Sequence, residues 1–164
     1  EFVCERATSF LESELSIDVK TTNFDFNNVN RLKLHHLTSI MAVDGPVAVL
    51  LAMTFDKSLA QQLYTTYTAD LTIPTDEADL YMEETVADII NIVLGNSLSR
   101  FEIENAPISL SPPVVITEAK QILRHRNAHF YVADMTTSKG HMQVICVCPK
   151  ELFDSQLNYI KEKT

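Results

Sequence analysis

This chain has three glycines, and two of them begin segments that resemble each other. The first segment runs from Gly45 through an apolar stretch to Met53 and is followed by Leu59, Gln62 and Leu63. The second runs from Gly140 through Val144, Ile145 and Val147 to Cys148 and is followed by Phe153, Gln156 and Leu157. The glycines stand 95 residues apart and the Gln-Leu pairs 94 apart, so a single one-residue gap aligns the two segments. Repetition at this scale predicts two like halves that bury their apolar faces against one another. The expected fold is therefore α/β: a duplicated α-β half with pseudo-twofold symmetry, its long helices packed on an antiparallel sheet. One domain spans 1–164, with halves of about 1–70 and 71–164.

Local pattern fills in the elements. Phe2, Val3, Ala7, Phe10, Leu11 and Leu15 recur at helical spacing, which predicts a helix over 2–15. Strands are expected at Ile17–Thr22 and Leu32–Val43, the second entering a hairpin turn at Asp44-Gly45. Pro46–Phe55 is nearly all apolar, as a strand buried on both faces would be. Asp56 is placed to cap a helix over Lys57–Tyr67. Leu71–Asp76 reads as a connection, and Glu77–Arg100 as a long helix whose Ile89–Leu94 centre should be packed on more than one side. Further strands are expected at Ile108–Ser111, Val114–Ala119, Ala128–Met135 and His141–Val147, with Lys139-Gly140 turning the last pair. A helix over about Lys150–Lys161 closes the chain.

Composition narrows the function classes. With 46% hydrophobic and 21% charged residues, the 164-residue chain has the balance of an ordinary globular protein. Its net charge of −9 and lack of any Lys/Arg run disfavour a nucleic-acid partner, because a phosphate backbone would be repelled. Cys4, Cys146 and Cys148 form no CxxC, and the five histidines show no ligand spacing, so no metal site or cofactor is expected in the chain itself. Cys146 and Cys148 should share one strand face as small buried hydrophobes in a reducing compartment. The longest apolar stretch is too short to cross a bilayer and no leader is visible, which points to the cytoplasm. The chain opens on Glu1-Phe2 rather than Met, as a domain excised from a longer protein, or a chain with a cleaved tag, would.

The third glycine, Gly95, falls inside the long helix, where it costs roughly 1 kcal/mol relative to alanine. That cost suggests a close approach there, by a strand or a neighbouring helix. Glu84, Asp88, Asn91 and Gly95 follow at i, i+4, i+7 and i+11, so they share one stripe of that helix. The stripe presents a carboxylate and an amide one turn apart. On its own it is also what the solvated face of an amphipathic helix looks like.

A wider pattern separates the two readings. The run Glu84-Thr-Val-Ala-Asp88-Ile-Ile-Asn91-Ile-Val-Leu-Gly95-Asn96, followed by Ile108-Ser109-Leu110-Ser111-Pro112, resembles the recognition helix and following strand of the CheC/CheX/FliY chemotaxis phosphatases. The first helix offers Glu5 and Thr8 but no Glu-x-x-Asn, so the resemblance is to the single-site CheX branch. It implies a two-component signalling protein that hydrolyses the aspartyl phosphate of a CheY-like response regulator. By that resemblance Asn91 orients the attacking water, Asp88 pairs with the receiver's lysine, and Glu84 and Gly95 contact the partner. Mg²⁺ is expected on the receiver and not in this chain. The family has Glu where this chain has Asp88, and Asp or Ser where it has Glu84. The alternative is a non-catalytic CheX-like module for dimerisation or receiver docking, such as the output domain of a response regulator. A homodimer is expected on the resemblance, with Pro46–Phe55 or His141–Cys148 reaching an unpaired sheet edge.

Overall fold

Helix α1 (Phe2–Leu15) buries Val3, Cys4, Ala7, Phe10 and Leu11 and ends at Ser16, which is left-handed with φ 54°. The computed structural model to which it belongs describes residues 1–25, 31–45, 48–98, 107–118, 121–123 and 128–149. Ile17 is buried and its N–H donates to the Leu11 carbonyl at 2.9 Å. It therefore seals the helix end, and β1 starts two residues later than expected, spanning Val19–Asp25.

The single strand expected over Leu32–Val43 is two strands, β2 (Arg31–Lys33) and β3 (Leu37–Asp44). Between them the His35 N–H donates to Thr54 Oγ1 at 2.8 Å, and Thr38 Oγ1 lies 2.9 Å from the same oxygen. A side-chain bond replaces a ladder bond at that point, and the chain changes sheets. Strand β4 (Val49–Phe55) leads to Asp56, whose Oδ1 accepts from Leu59 N at 2.8 Å and caps α2 (Lys57–Tyr67) at the expected boundaries. A short 3₁₀ turn, Thr75–Glu77, precedes α3 (Ala78–Ser97). Then follow β5 (Ser109–Leu110), β6 (Val114–Thr117), β7 (Gln121–Leu123), β8 (Ala128–Thr137) and β9 (His141–Pro149). Strand β7 is not anticipated by the sequence pattern, and the helix expected at Lys150–Lys161 lies outside the described residues.

The main sheet is antiparallel throughout, in the order β1-β8-β9-β4-β3, with β5 and β6 both pairing to the far side of β3. Exchanging β1 with β6, β8 with β3 and β9 with β4 leaves this order unchanged. The symmetry axis passes where Leu51 pairs with Cys146, residues separated by the same 95 positions as Gly45 and Gly140. The helices obey the same relation, since Val3, Ala7, Phe10 and Leu11 recur as buried Val86, Ile90, Val93 and Leu94, each 83 positions later. The hairpins share their topology but not their length. β9 begins at His141, three residues before Val144, the counterpart of Val49.

Gly140 shows why a glycine is needed at the longer hairpin. It sits at φ 152°, and an added Cβ would collide with Asp56 Oδ1 and approach Leu59 N to 2.9 Å. The Asp56 carboxylate also accepts from His141 N at 2.8 Å, so one side chain ties the cap of α2 to the start of β9. At the other hairpin, an added Cβ on Gly45 would lie 3.2 Å from Ile108 Cγ1.

One sheet face carries Met41, Leu51, Met53, Phe55, Met135, Met142 and Val144 into the main core with the three helices. The other face forms a smaller cluster in which Ala52, Phe130, Val132 and Ile145 are packed with Leu32 from the β2–β7 ribbon and Leu34 just after it. This geometry corrects one expectation. β4 and β9 are the two central strands, each paired on both sides, so neither offers an edge. Within the described residues the outer strands of the sheet are β1 on one side and β5 and β6 on the other.

Candidate docking and catalytic helix

Helix α3 is held by burial of Met82, Val86, Ile89, Ile90, Val93 and Leu94, and it packs on α1, α2 and β3. Complete burial of residues such as Ile90 and Leu94 stabilises by roughly 1.5–3 kcal/mol each. The helix is thereby a rigid support. Its opposite stripe carries Glu84, Asp88, Asn91 and Gly95, and all four are exposed. Asn91 lies between Ile90, fully buried, and Ile92, half-buried, because each residue turns about 100° around the axis. The structure brings the four residues expected to act together onto one accessible line.

The close approach expected at Gly95 is absent among the described residues. Among the described residues an added Cβ would meet nothing within 4 Å. Glycine is therefore not required there by internal packing, and its side-chain-free surface faces solvent. In the counterpart helix α1, the offset of 83 places Glu5 and Thr8 where α3 has Asp88 and Asn91. The first half thus presents a carboxylate but no amide.

Tyr67 lies on the helix that packs against α3, and nothing in the sequence pattern marks it. It is the last residue of α2, half-buried, with its ring packed against the main core. Burial first, then the Asp88 carboxylate and Glu14, push its phenol above the ordinary tyrosine value. Among the described residues Asp88 forms no ion pair, whereas Glu14 is 3.5 Å from Arg6.

Among the described residues no group of three or more His, Cys, Asp or Glu is arranged to hold a metal ion. Also among the described residues, no helix is long and apolar enough to cross a membrane. The three cysteines are free. Cys4 and Cys148 are buried and Cys146 partly so. Cys146 and Cys148 do share a face, and the hydrogen bond between them raises the Cys146 thiol and lowers that of Cys148.

Comparison with known proteins places this geometry in a family. No curated protein sequence matches the chain significantly. Its fold is similar to that of the crystal structure of chemotaxis protein CheX from Desulfovibrio desulfuricans, with TM-score 0.69 and 15% identity over 88% of this chain and 95% of that one. Chemotaxis protein CheX from Vibrio vulnificus gives TM-score 0.66 and 15% identity over 90% and 96%. The CheX–CheY–BeF₃–Mg²⁺ complex from Borrelia burgdorferi gives TM-score 0.72 and 13% identity over 92% and 96%. At these identities the solved structures establish the fold alone. The model of the family described as chemotaxis phosphatase CheX matches residues 37–136, a span that contains the whole exposed stripe of α3, and on that match the chain belongs to the CheX family.

Proposed function

We propose that this chain docks helix α3 on a phosphorylated CheY-like receiver and hydrolyses its aspartyl phosphate. The observation that carries the reading is the exposure of the Asn91 amide on a helix otherwise fixed by burial. Transfer of a phosphoryl group to water needs positioning and charge stabilisation more than covalent help. In the docked complex the Asn91 amide would hold a water in line with the phosphorus. The water oxygen forms the new P–O bond, the bond to the receiver's aspartate breaks, and carboxylate and inorganic phosphate are released. Asp88 would pair with the receiver's lysine, with Glu84 and Gly95 lining the contact. The divalent cation, Mg²⁺, would belong to the receiver, and the setting is the cytoplasm.

The test is the lifetime of phosphoaspartate on the cognate receiver with this protein in excess. Asn91→Ala should abolish acceleration while binding survives, weakened by no more than about tenfold, since one exposed amide contributes only about 0.5–1.5 kcal/mol net. Asp88→Ala should instead weaken docking by about 1.5–3 kcal/mol, the worth of a charge-assisted pair. Asp88→Glu should match or raise the wild-type rate by restoring one C–C bond of reach, about 1.5 Å. Equal lifetimes with wild type, with Asn91→Ala and with no added protein would remove the enzyme reading.

The shorter Asp88 specifically favours a second reading, a module that docks or dimerises without turnover. A misplacement of about 1 Å can cost on the order of 10²-fold when positioning is the mechanism. Intact receiver binding without any change in phosphoaspartate lifetime would select it.

We also propose a homodimer formed at the β6 edge. Val114 and Ile116 are 60% and 36% exposed, on a strand whose only ladder within the described residues is to β3. Unpaired edges of this kind recruit a partner strand.

A further inference from the structure

Helix α3 exposes one residue that its polar stripe does not account for. Apart from Gly95, the residues of α3 open to solvent are aspartate, glutamate or asparagine, with the single exception of Leu80. Met82, Val86, Ile89 and Ile90 carry the helix into the core, whereas Leu80 is 53% exposed. At about 100° per residue, Leu80 lies only about 20° around the axis from Asn91 and about 40° from Glu84. It therefore continues the line of Glu84, Asp88, Asn91 and Gly95 by one turn toward the start of the helix. At about 1.5 Å per residue it stands about 16 Å along the axis from Asn91 and about 12 Å from Asp88. A standard interface covers about 800 Å² on each partner, a disc of roughly 16 Å radius, so a contact centred on Asp88 and Asn91 extends over Leu80. The polar residues of the stripe are assigned to groups that any phosphorylated receiver must have. Leu80 meets surface beyond the phosphorylation site, where one receiver can differ from another. A leucine held half in water there is stabilised only by a partner surface that is itself apolar.

We propose that Leu80 is a specificity-determining contact of the docking face, seated in the complex against an apolar patch of the cognate receiver. This role rests on the receiver-docking reading above, and it belongs to binding and not to hydrolysis.

Leu80→Gln keeps length and helix propensity and removes the apolar end, while Leu80→Met keeps apolar bulk. Affinity is measured for CheY-like receivers activated with beryllofluoride and Mg²⁺. Leu80→Gln should bind the cognate receiver about 3- to 10-fold more weakly, and Leu80→Met within about twofold of wild type. Raising salt from about 0.05 to 0.5 M should shrink the loss caused by Asp88→Ala and leave that of Leu80→Gln unchanged. A non-cognate receiver should lose less with Leu80→Gln, so the preference for the cognate one narrows. Equal losses with both receivers overturn the proposal, as does a Leu80→Met loss as large as that of Leu80→Gln. Conversion of a dimer to a monomer by Leu80→Gln in light scattering also overturns it, since the occupant is then a second copy of this chain. A wild-type chain that binds no activated receiver defeats the docking reading and this role with it. Undiminished binding by Leu80→Gln, alongside a clear loss in Asp88→Ala, defeats only the role of Leu80.

Discussion

Replacing Gly95 with alanine should move stability and docking in opposite directions. The glycine sits in α3 two residues before the helix ends at Ser97, exposed, with nothing within 4 Å of an added Cβ among the described residues. An alanine there lowers the entropic cost of the helix and introduces no clash, which is worth about 0.5–1 kcal/mol in the chain's favour. For a domain of this size that corresponds to a rise of about 1–4 °C in Tm. If a receiver comes into contact with the helix at this point, the same methyl group must be accommodated in the interface. Overpacking of that kind costs about 1–3 kcal/mol, or roughly 5- to 150-fold in Kd. Thermal unfolding of the free protein and titration with an activated receiver measure the two effects separately. A variant that is more stable and binds unchanged would show that no partner surface reaches Gly95. A variant less stable than wild type would contradict the open space around it.

Three other outcomes follow from particular contacts. Gly140→Ala should destabilise by about 2–4 kcal/mol in chemical unfolding, combining strain at φ 152° with displacement of the Asp56 cap, whereas Gly45→Ala should cost less because Ile108 Cγ1 can yield. Burial lowers the pKa of His35 in the fold, with Asp56 and Asp134 opposing the shift, so the unfolded chain binds the proton more readily. That contribution to stability is present above the unfolded value near 6.5 and is lost as pH falls through the lowered folded value; Tm measured from pH 7 to 5 should therefore fall less in His35→Gln than in wild type. If the homodimer proposed at the β6 edge forms, wild type should scatter as a dimer at about tens of micromolar and Val114→Lys as a monomer; a monomeric wild type would refute the dimer, and a Val114→Lys dimer would refute its β6 contact.

The sequence alone determined whatever depends on neighbours along the chain. Helix α2 starts and stops as expected because Asp56 supplies a cap three residues before the first free N–H it satisfies, a purely local relation. The exposed stripe of α3 was legible because helical periodicity assigns Ile90 inward and Asn91 outward whatever the helix packs against. The repeat was legible too, since the 95-residue offset of the glycines is the offset of the Leu51–Cys146 pair at the centre of the sheet. Only the tertiary structure decided what depends on residues far apart. Leu32–Val43 is uniform enough for one strand, yet Thr54 on β4 captures the His35 N–H and divides it. The three-residue β7 has too short a pattern to stand out and exists because β2 is there to pair with it. A glycine in so apolar a helix reads as an internal packing glycine, but among the described residues no other element comes within 4 Å of an added Cβ there. Tyr67 stands 21 positions from Asp88 in the chain, and no periodicity within either helix encodes how α2 lies against α3. Stripes are properties of single helices, whereas sites are made where helices meet, and that meeting is set by the core beneath them.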